Sequence, residues 1–248
     1  MRYFFVVTLI VGFSLQQFGC ATAVTGTARD HTGSGLALYN TGDLKGAITE
    51  YRAALSLDPN YVDAHYNLGV ALDDTGDRDA ACTEYRAALS LDPNHVNAHY
   101  DLGVALTKNG DPTEAVIEFR TVLRLDPDHA NARYNLGSAL AQNGDREGAI
   151  TEFRTVLRLN PNNVFAHTNL GVALEKSGNL EEAITEFRTA LSLDPSHVNA
   201  HIGLGSALAK KGDILSARKE LEEALVLLPD TPENQQTIRS IIALLGRL

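Results

Sequence analysis

Two histidine pairs are the first residues in this sequence whose spacing suggests chemistry. His95/His99 and His197/His201 are each four residues apart, a separation that can place two imidazoles on one helix face as metal ligands. The first member of each pair follows Asp-Pro-Asn or Asp-Pro-Ser, a turn sequence, so it is expected ahead of a helix and not on it. No metal site is therefore expected. Cys82 stands beside Ala81 and reads as a small buried residue, not a reactive thiol. Gly33-Ser34-Gly35 lacks the remainder of any phosphate-binding or nucleophile motif. No nucleophile, base and oxyanion donor converge. The sequence thus offers no catalytic residue and no cofactor site, and a non-enzymatic protein is expected.

Recognition chemistry is better represented. Asn67, Asp101, Asn135 and Asn169 recur every 34 residues, each just before Leu-Gly, and the series ends at Gly203. An amide side chain offers a donor and an acceptor, which matches a peptide group without reading its side chain. Each such hydrogen bond contributes about 0.5–1.5 kcal/mol net. Asp101, when ionised, only accepts. Bonding to a neighbouring unit is the competing use of these residues. Tyr66, Tyr100 and Tyr134 form a second series, continued by Thr168 and Ile202. Tyrosine gives large contact area with a polar tip; packing between units is its competing use. Charges form the third series. Asp63, Asp73, Asp74 and Asp101 gather towards the N-terminal half, whereas Lys108, Lys176 and Lys210 lie further on, with Glu175 among them. A binding surface graded in this way would orient a ligand; a merely solvated distribution is the alternative.

The elements that position these residues are repeats. Six stretches of 34 residues follow one another: 28–61, 62–95, 96–129, 130–163, 164–197 and a looser 198–231. A fixed period of this length marks a solenoid, in which each unit buries its apolar face only by stacking on its neighbours. Small residues recur where two helices must approach closely, Gly69, Gly103 and Gly137 in one series and Ala81, Ala115 and Ala149 in another. A large residue recurs at Tyr51, Tyr85, Phe119, Phe153, Phe187 and Leu221, and a Pro near the end of each unit, from Pro59 to Pro229. Within a unit, a glycine such as Gly76 suits the left-handed residue past a first helix. The following Asp77, Asp111 or Asn179 suits the N-cap of a second. Asp111 with Glu114, and Asn179 with Glu182, have the spacing of a capping box.

With Leu-Gly, Ala, a large residue and Pro at these spacings, the chain resembles the tetratricopeptide-repeat proteins over residues 28–231. The resemblance implies an all-α fold, a right-handed superhelical solenoid of about six two-helix units. The family's usual Trp is absent. His31, His65, His99, Arg133, His167 and His201 stand at that packing place. It also implies that ligands bind first-helix residues on the inside of the superhelix. A peptide-binding groove would then include Asn67, Asp101, Asn135, Asn169, Tyr66, Tyr100, Tyr134, Asp63, Asp74, Lys108 and Lys176. The asparagine series is similar to that in the repeats of O-linked N-acetylglucosamine transferase, whose amides hold an extended peptide backbone. The family's carboxylate clamp for cytosolic chaperones needs Lys and Asn where this chain has Tyr66 and Val70, Tyr100 and Val104, or Tyr134 and Ser138. That partner is not expected.

Charge and the termini complete the reading. With 21 Lys and Arg against 31 Asp and Glu, the net charge is −10, which argues against nucleic acid as the main partner. Two cysteines imply no disulfide framework. Residues 1–23 join Arg2 to an apolar run too short to span a bilayer and read as a signal peptide, so export to the periplasm or outer envelope is expected if the source is bacterial. Cleavage before Val24 and processing at Cys20, which would become lipidated and attach the chain to a membrane, both stand open. Residues 24–34 read as a linker running into a frayed first helix, weakened by Gly33 and Gly35. Residues 232–248 read as a capping helix with Ile238, Ile241, Ile242, Leu245 and Leu248 as its apolar stripe. The function expected first is an interaction module holding an extended peptide or a partner helix in its groove. An envelope scaffold working through the convex face or ends is one alternative. A substrate-presenting adaptor for a separate glycosyltransferase is the other.

Overall fold

The computed structural model describes residues 26–248, all of them in helices or short connections. The signal segment, Cys20 and both processing positions lie outside the described residues. Six helix pairs follow the sequence units: α1 (Ala28–Asn40) with α2 (Leu44–Leu57), α3 (Val62–Asp74) with α4 (Arg78–Leu91), and α5 (Val96–Asn109) with α6 (Pro112–Leu125). Then come α7 (Ala130–Gln142) with α8 (Arg146–Leu159), α9 (Val164–Lys176) with α10 (Leu180–Leu193), and α11 (Val198–Lys211) with α12 (Ile214–Leu227), before a last helix α13 (Gln235–Leu245). Among the described residues no helix is long and apolar enough to cross a membrane.

The turn inside each unit shows how local sequence sets the geometry. Gly76 has φ +88°, a conformation that costs glycine nothing and other residues a steric penalty. That turn lets Gly76 N–H donate to Asp73 C=O and Asp77 N–H to Leu72 C=O, closing the last orphan carbonyls of α3. Asp77 then accepts from the Ala80 N–H and caps α4. The same arrangement recurs at Asp43, Asp111, Asp145 and Asp213, whereas Asn179 makes no side-chain cap bond. The box-like pairs do not close: Glu114 turns away to Arg86, and Glu182 to Arg154.

Burial follows the repeat. The rings of Tyr51, Tyr85, Phe119, Phe153 and Phe187 are buried between helices. Each lies against a first-helix glycine: a Cβ on Gly103 would stand 2.8 Å from the Phe119 ring. Ala47, Ala81, Ala115, Ala149, Ala183 and Ala217 are buried where the two helices of a unit meet. Each odd-numbered helix from α1 to α9 also touches the next odd-numbered one, and the even-numbered helices make no comparable contact. The odd helices therefore form the shorter, concave wall, and the even helices the convex one.

The histidine series does more than fill space. His65, His99, His167 and His201 each bond a glutamate 19 residues on through Nδ1 (2.5–2.8 Å) and the carbonyl of the preceding unit's Pro through Nε2 (2.9–3.1 Å). Arg133 reaches the same two acceptors, Glu152 at 3.2 Å and Pro127 C=O at 2.8 Å. Arg133 meets both acceptors with guanidinium N–H groups, and the histidines reach the same two groups with their two ring nitrogens. This place is a polar staple joining first helix, second helix and the preceding turn, where the resemblance implied packing.

Two boundaries differ from expectation. Residues 28–34 are helical, not linker, because Thr27 and Asp30 cap α1 reciprocally: Thr27 Oγ1 accepts from Asp30 N–H and Asp30 accepts from Thr27 N–H. Gly35 in that helix is required by the Tyr51 ring. At the other end α13 starts at Gln235, not at residue 232, after a turn around Pro229 and Pro232. Ile241 is buried against Leu221 and Ala224, with Leu245 and Leu248 packed alongside, but Ile242 is exposed.

The staple makes a direct prediction. His99→Arg, which supplies the two donors that Arg133 supplies one unit on, should leave stability nearly unchanged in urea unfolding. His99→Leu strands Glu118 and the Pro93 carbonyl and should cost about 1–3 kcal/mol.

Candidate peptide-binding groove

The groove is lined by the odd helices, and its polar residues are coupled across units. Tyr66 OH donates to Asp101 at 2.8 Å, Asn135 Nδ2 donates to Tyr100 OH at 3.1 Å, and Asn169 Nδ2 to Tyr134 OH at 2.8 Å. The tyrosine and asparagine series are therefore one ladder, each rung joining a unit to the next. Below it, Tyr100 packs on Phe119 and Tyr134 on Phe153, with ring centroids 6.1 and 5.8 Å apart. Asn67 has no such partner. Thr32 stands where the tyrosine would be and spends its hydroxyl on the Ala28 carbonyl. The series stops at Gly203 because the Phe187 ring occupies the space a side chain would need.

Binding and bonding to the neighbour are not exclusive for these amides. After its rung is made, each of Asn135 and Asn169 retains Oδ1 and a second N–H, and Tyr100 and Tyr134 retain their hydroxyl protons. The rung fixes the amide's orientation. Two pockets follow at one-unit spacing beside these residues. The first, about 200 Å³, is lined by Val104, Thr107, Lys108, Phe119, Asn135 and Ser138. The second, about 240 Å³, repeats it with Ser138, Ala141, Gln142, Phe153, Asn169 and Val172. Phe119 and Phe153 read as packing residues in the sequence. Both rings are fully buried and form the floor beneath the pockets, because the same position serves the core in every unit.

Most of the charged series is paired between units. Lys108 pairs with Asp73 at 3.2 Å, Lys210 with Glu175 at 3.0 Å, and Tyr39 OH donates to Asp74 at 2.5 Å. Each joins neighbouring units at the same 35-residue offset as the ladder above. Most of the expected gradient is thus consumed in holding units together. Asp63 lies apart, exposed beside Arg29, Asp58 and Tyr61 at the lip. Lys176 has no ion pair among the described residues and sits beside Glu147.

Burial shapes the titration of the groove. Desolvation pushes the Asp101 carboxyl above its ordinary value of 3.8, opposed in part by the Tyr66 hydroxyl. The bond to Asp74 pushes Tyr39 up to about 12. Cys82 is buried in α4, where desolvation raises its thiol. Of the paired histidines, His95 caps α5 by accepting from the Ala98 N–H and lies on Tyr66, while His99 serves the staple. The two are not aimed at a common ligand.

A curved array of helix pairs around one inner groove is a protein-interaction module. Profiles described as TPR repeat match residues 35–76 and 176–212, and profiles described as tetratricopeptide repeat match 71–130, 100–164 and 152–185. The chain belongs to the tetratricopeptide-repeat proteins. It is similar to the crystal structure of MamA, at 29% identity over 64% of this chain and 94% of that one, TM-score 0.60. It is also similar to YrrB, described as a TPR protein with an unusual peptide-binding site, at 25% identity over 73% and 93%, TM-score 0.61. PilF of Pseudomonas aeruginosa shares the fold, at 23% identity over 86% and 97%, TM-score 0.65. No match was found among curated proteins.

Asp101 generates the test of this geometry. Its folded-state carboxyl is raised above the unfolded value, so the stability it contributes falls as pH rises from about 4. Asp101→Asn supplies the amide found one unit on and removes the titration. The variant should melt a few degrees above the parent at pH 7, the scale of about 1 kcal/mol in a chain of this length. The gap should close towards pH 4 in calorimetric scans.

Proposed function

We propose that the chain holds an extended peptide of a protein partner in the concave groove, without catalysis of its own. One observation carries this reading. Asn135 and Asn169 stand beside successive pockets, each amide oriented by a tyrosine hydroxyl and each with a donor and an acceptor left over. Neighbouring helices pack about 8–10 Å apart and an extended chain rises about 3.3 Å per residue. Successive amides therefore meet peptide groups about three residues apart. Affinity on the order of micromolar fits a flexible ligand that loses entropy on binding. The peptide-binding site described for YrrB supports the choice of ligand class. Export, with Cys20 as a lipid attachment point or cleavage before Val24, is the cellular setting we propose from the sequence of residues 1–23.

Peptides selected from a random dodecamer library on residues 24–248 provide the test. Changing Asn135 and Asn169 together to Ala removes two amide contacts and should weaken the selected peptides about tenfold or more, with the circular dichroism spectrum retained. Equal affinity in parent and variant would move the site to the convex face or the ends, as a scaffold requires.

A further inference from the structure

We infer that unit four carries a receptor pocket for an aromatic side chain of the bound peptide, an inference that rests on the groove reading above. In units two and three the closing residue lies over the unit's own groove tyrosine. In unit two it is His95, whose ring lies 4.8 Å from Tyr66; in unit three it is His129, stacked 4.9 Å from Tyr100. In unit four the closing residue is Asn163. The imidazole is missing there, and a cavity of about 380 Å³ opens against Tyr134, Val156, Leu159, Asn160, Asn163 and Phe165.

Two more departures from the repeat meet at the same cavity. Asn160 replaces the aspartate of units one, two, three and five, which removes a charge. Phe165, from the start of unit five, replaces the Asp or Asn found at that place in units two, three, four and six and stands 62% exposed. The corresponding opening in unit one is lined by Arg29, Asp58 and Asp63 and has Thr32 in place of the tyrosine. Unit four is thus both open and uncharged.

The occupant follows from the sister units, which fill the same place with a flat ring. Tyr134 is held for stacking by the Asn169 amide on its hydroxyl and by Phe153 against its ring. Aromatic pairs favour centroid separations of about 4.5–7 Å, and cavities of only about 150 Å³ accept benzene. A phenyl or phenol side chain on Tyr134, edged by Phe165, restores the contact that His95 and His129 make elsewhere. From there the peptide backbone continues to Asn169, because Tyr134 belongs to both pocket and ladder.

The test titrates acetyl-Gly-Gly-Phe-Gly-Gly-amide into ¹⁵N-labelled residues 24–248, with the leucine analogue as control. The phenylalanine peptide should shift the amide signals of Tyr134 and Phe165, and the leucine peptide should bind several-fold more weakly. Asn163→His puts back the ring of the sister units and should weaken the phenylalanine peptide about tenfold or more. That variant retains the cap of α9: Asn163 accepts from the Ala166 N–H as His95 and His129 accept from Ala98 and Ala132. Equal binding by the Asn163→His variant, equal binding of the leucine peptide, or shifts elsewhere would each overturn the inference. Asn163→His leaves Asn135, Asn169 and both tyrosine rungs in place, so it reports on the pocket alone. Failure of the groove reading, which the dodecamers report, therefore stays distinct from failure of the pocket.

Discussion

The structure depends on a buried ring facing a glycine. In five of the six units a Tyr or Phe of the second helix is sealed against a first-helix glycine, with no room for even a methyl group. This contact fixes how closely the two helices of a unit approach. No unit covers its own apolar surface, so the contact is complete only when the next first helix closes over the ring. The curvature follows, since the first helices touch along the chain and the second helices do not. The groove is the geometric consequence of an inner wall that is shorter than the outer one.

On this frame the inner wall spends its polar groups in two ways. Some are spent wholly on joining units, as in the Asp73–Lys108 and Glu175–Lys210 pairs. Partly exposed pairs of this kind contribute little each, about 0–1 kcal/mol, and their value lies in register between units. Others, Asn135 and Asn169, join units with one N–H and keep the rest of the amide. The tyrosine rungs thus give the groove preorganised donors and acceptors, which lowers the ordering cost of binding.

Much of this was legible in the sequence because a repeat is its own control. The 34-residue period exposed the helix pairs, the glycine turns and the capping aspartates, each of which has a local cause. What escaped was pairwise and non-local. Nothing in the sequence says that Tyr100 and Asn135, 35 residues apart, share a hydrogen bond instead of acting separately. The staple of His99 to Glu118 and the Pro93 carbonyl was hidden in the same way, behind a position that resemblance assigned to packing. Only Arg133, an odd residue in a histidine series, hinted that the place serves two acceptors. At α1 two glycines weaken the helix locally, but Thr27 and Asp30 supply a reciprocal cap. The cavity in unit four is visible only once Asn160, Asn163 and Phe165 are seen to converge.

The central claim is that the inner wall reads a peptide backbone through amides oriented by the neighbouring unit. A crystal structure of residues 24–248 with a library-selected peptide tests it most directly. The account predicts an extended chain along the odd-numbered helices, with its peptide groups hydrogen-bonded to Asn135 and Asn169 while both tyrosine rungs persist. A peptide seated on the even-numbered helices, or one that makes no contact with either amide, would contradict it.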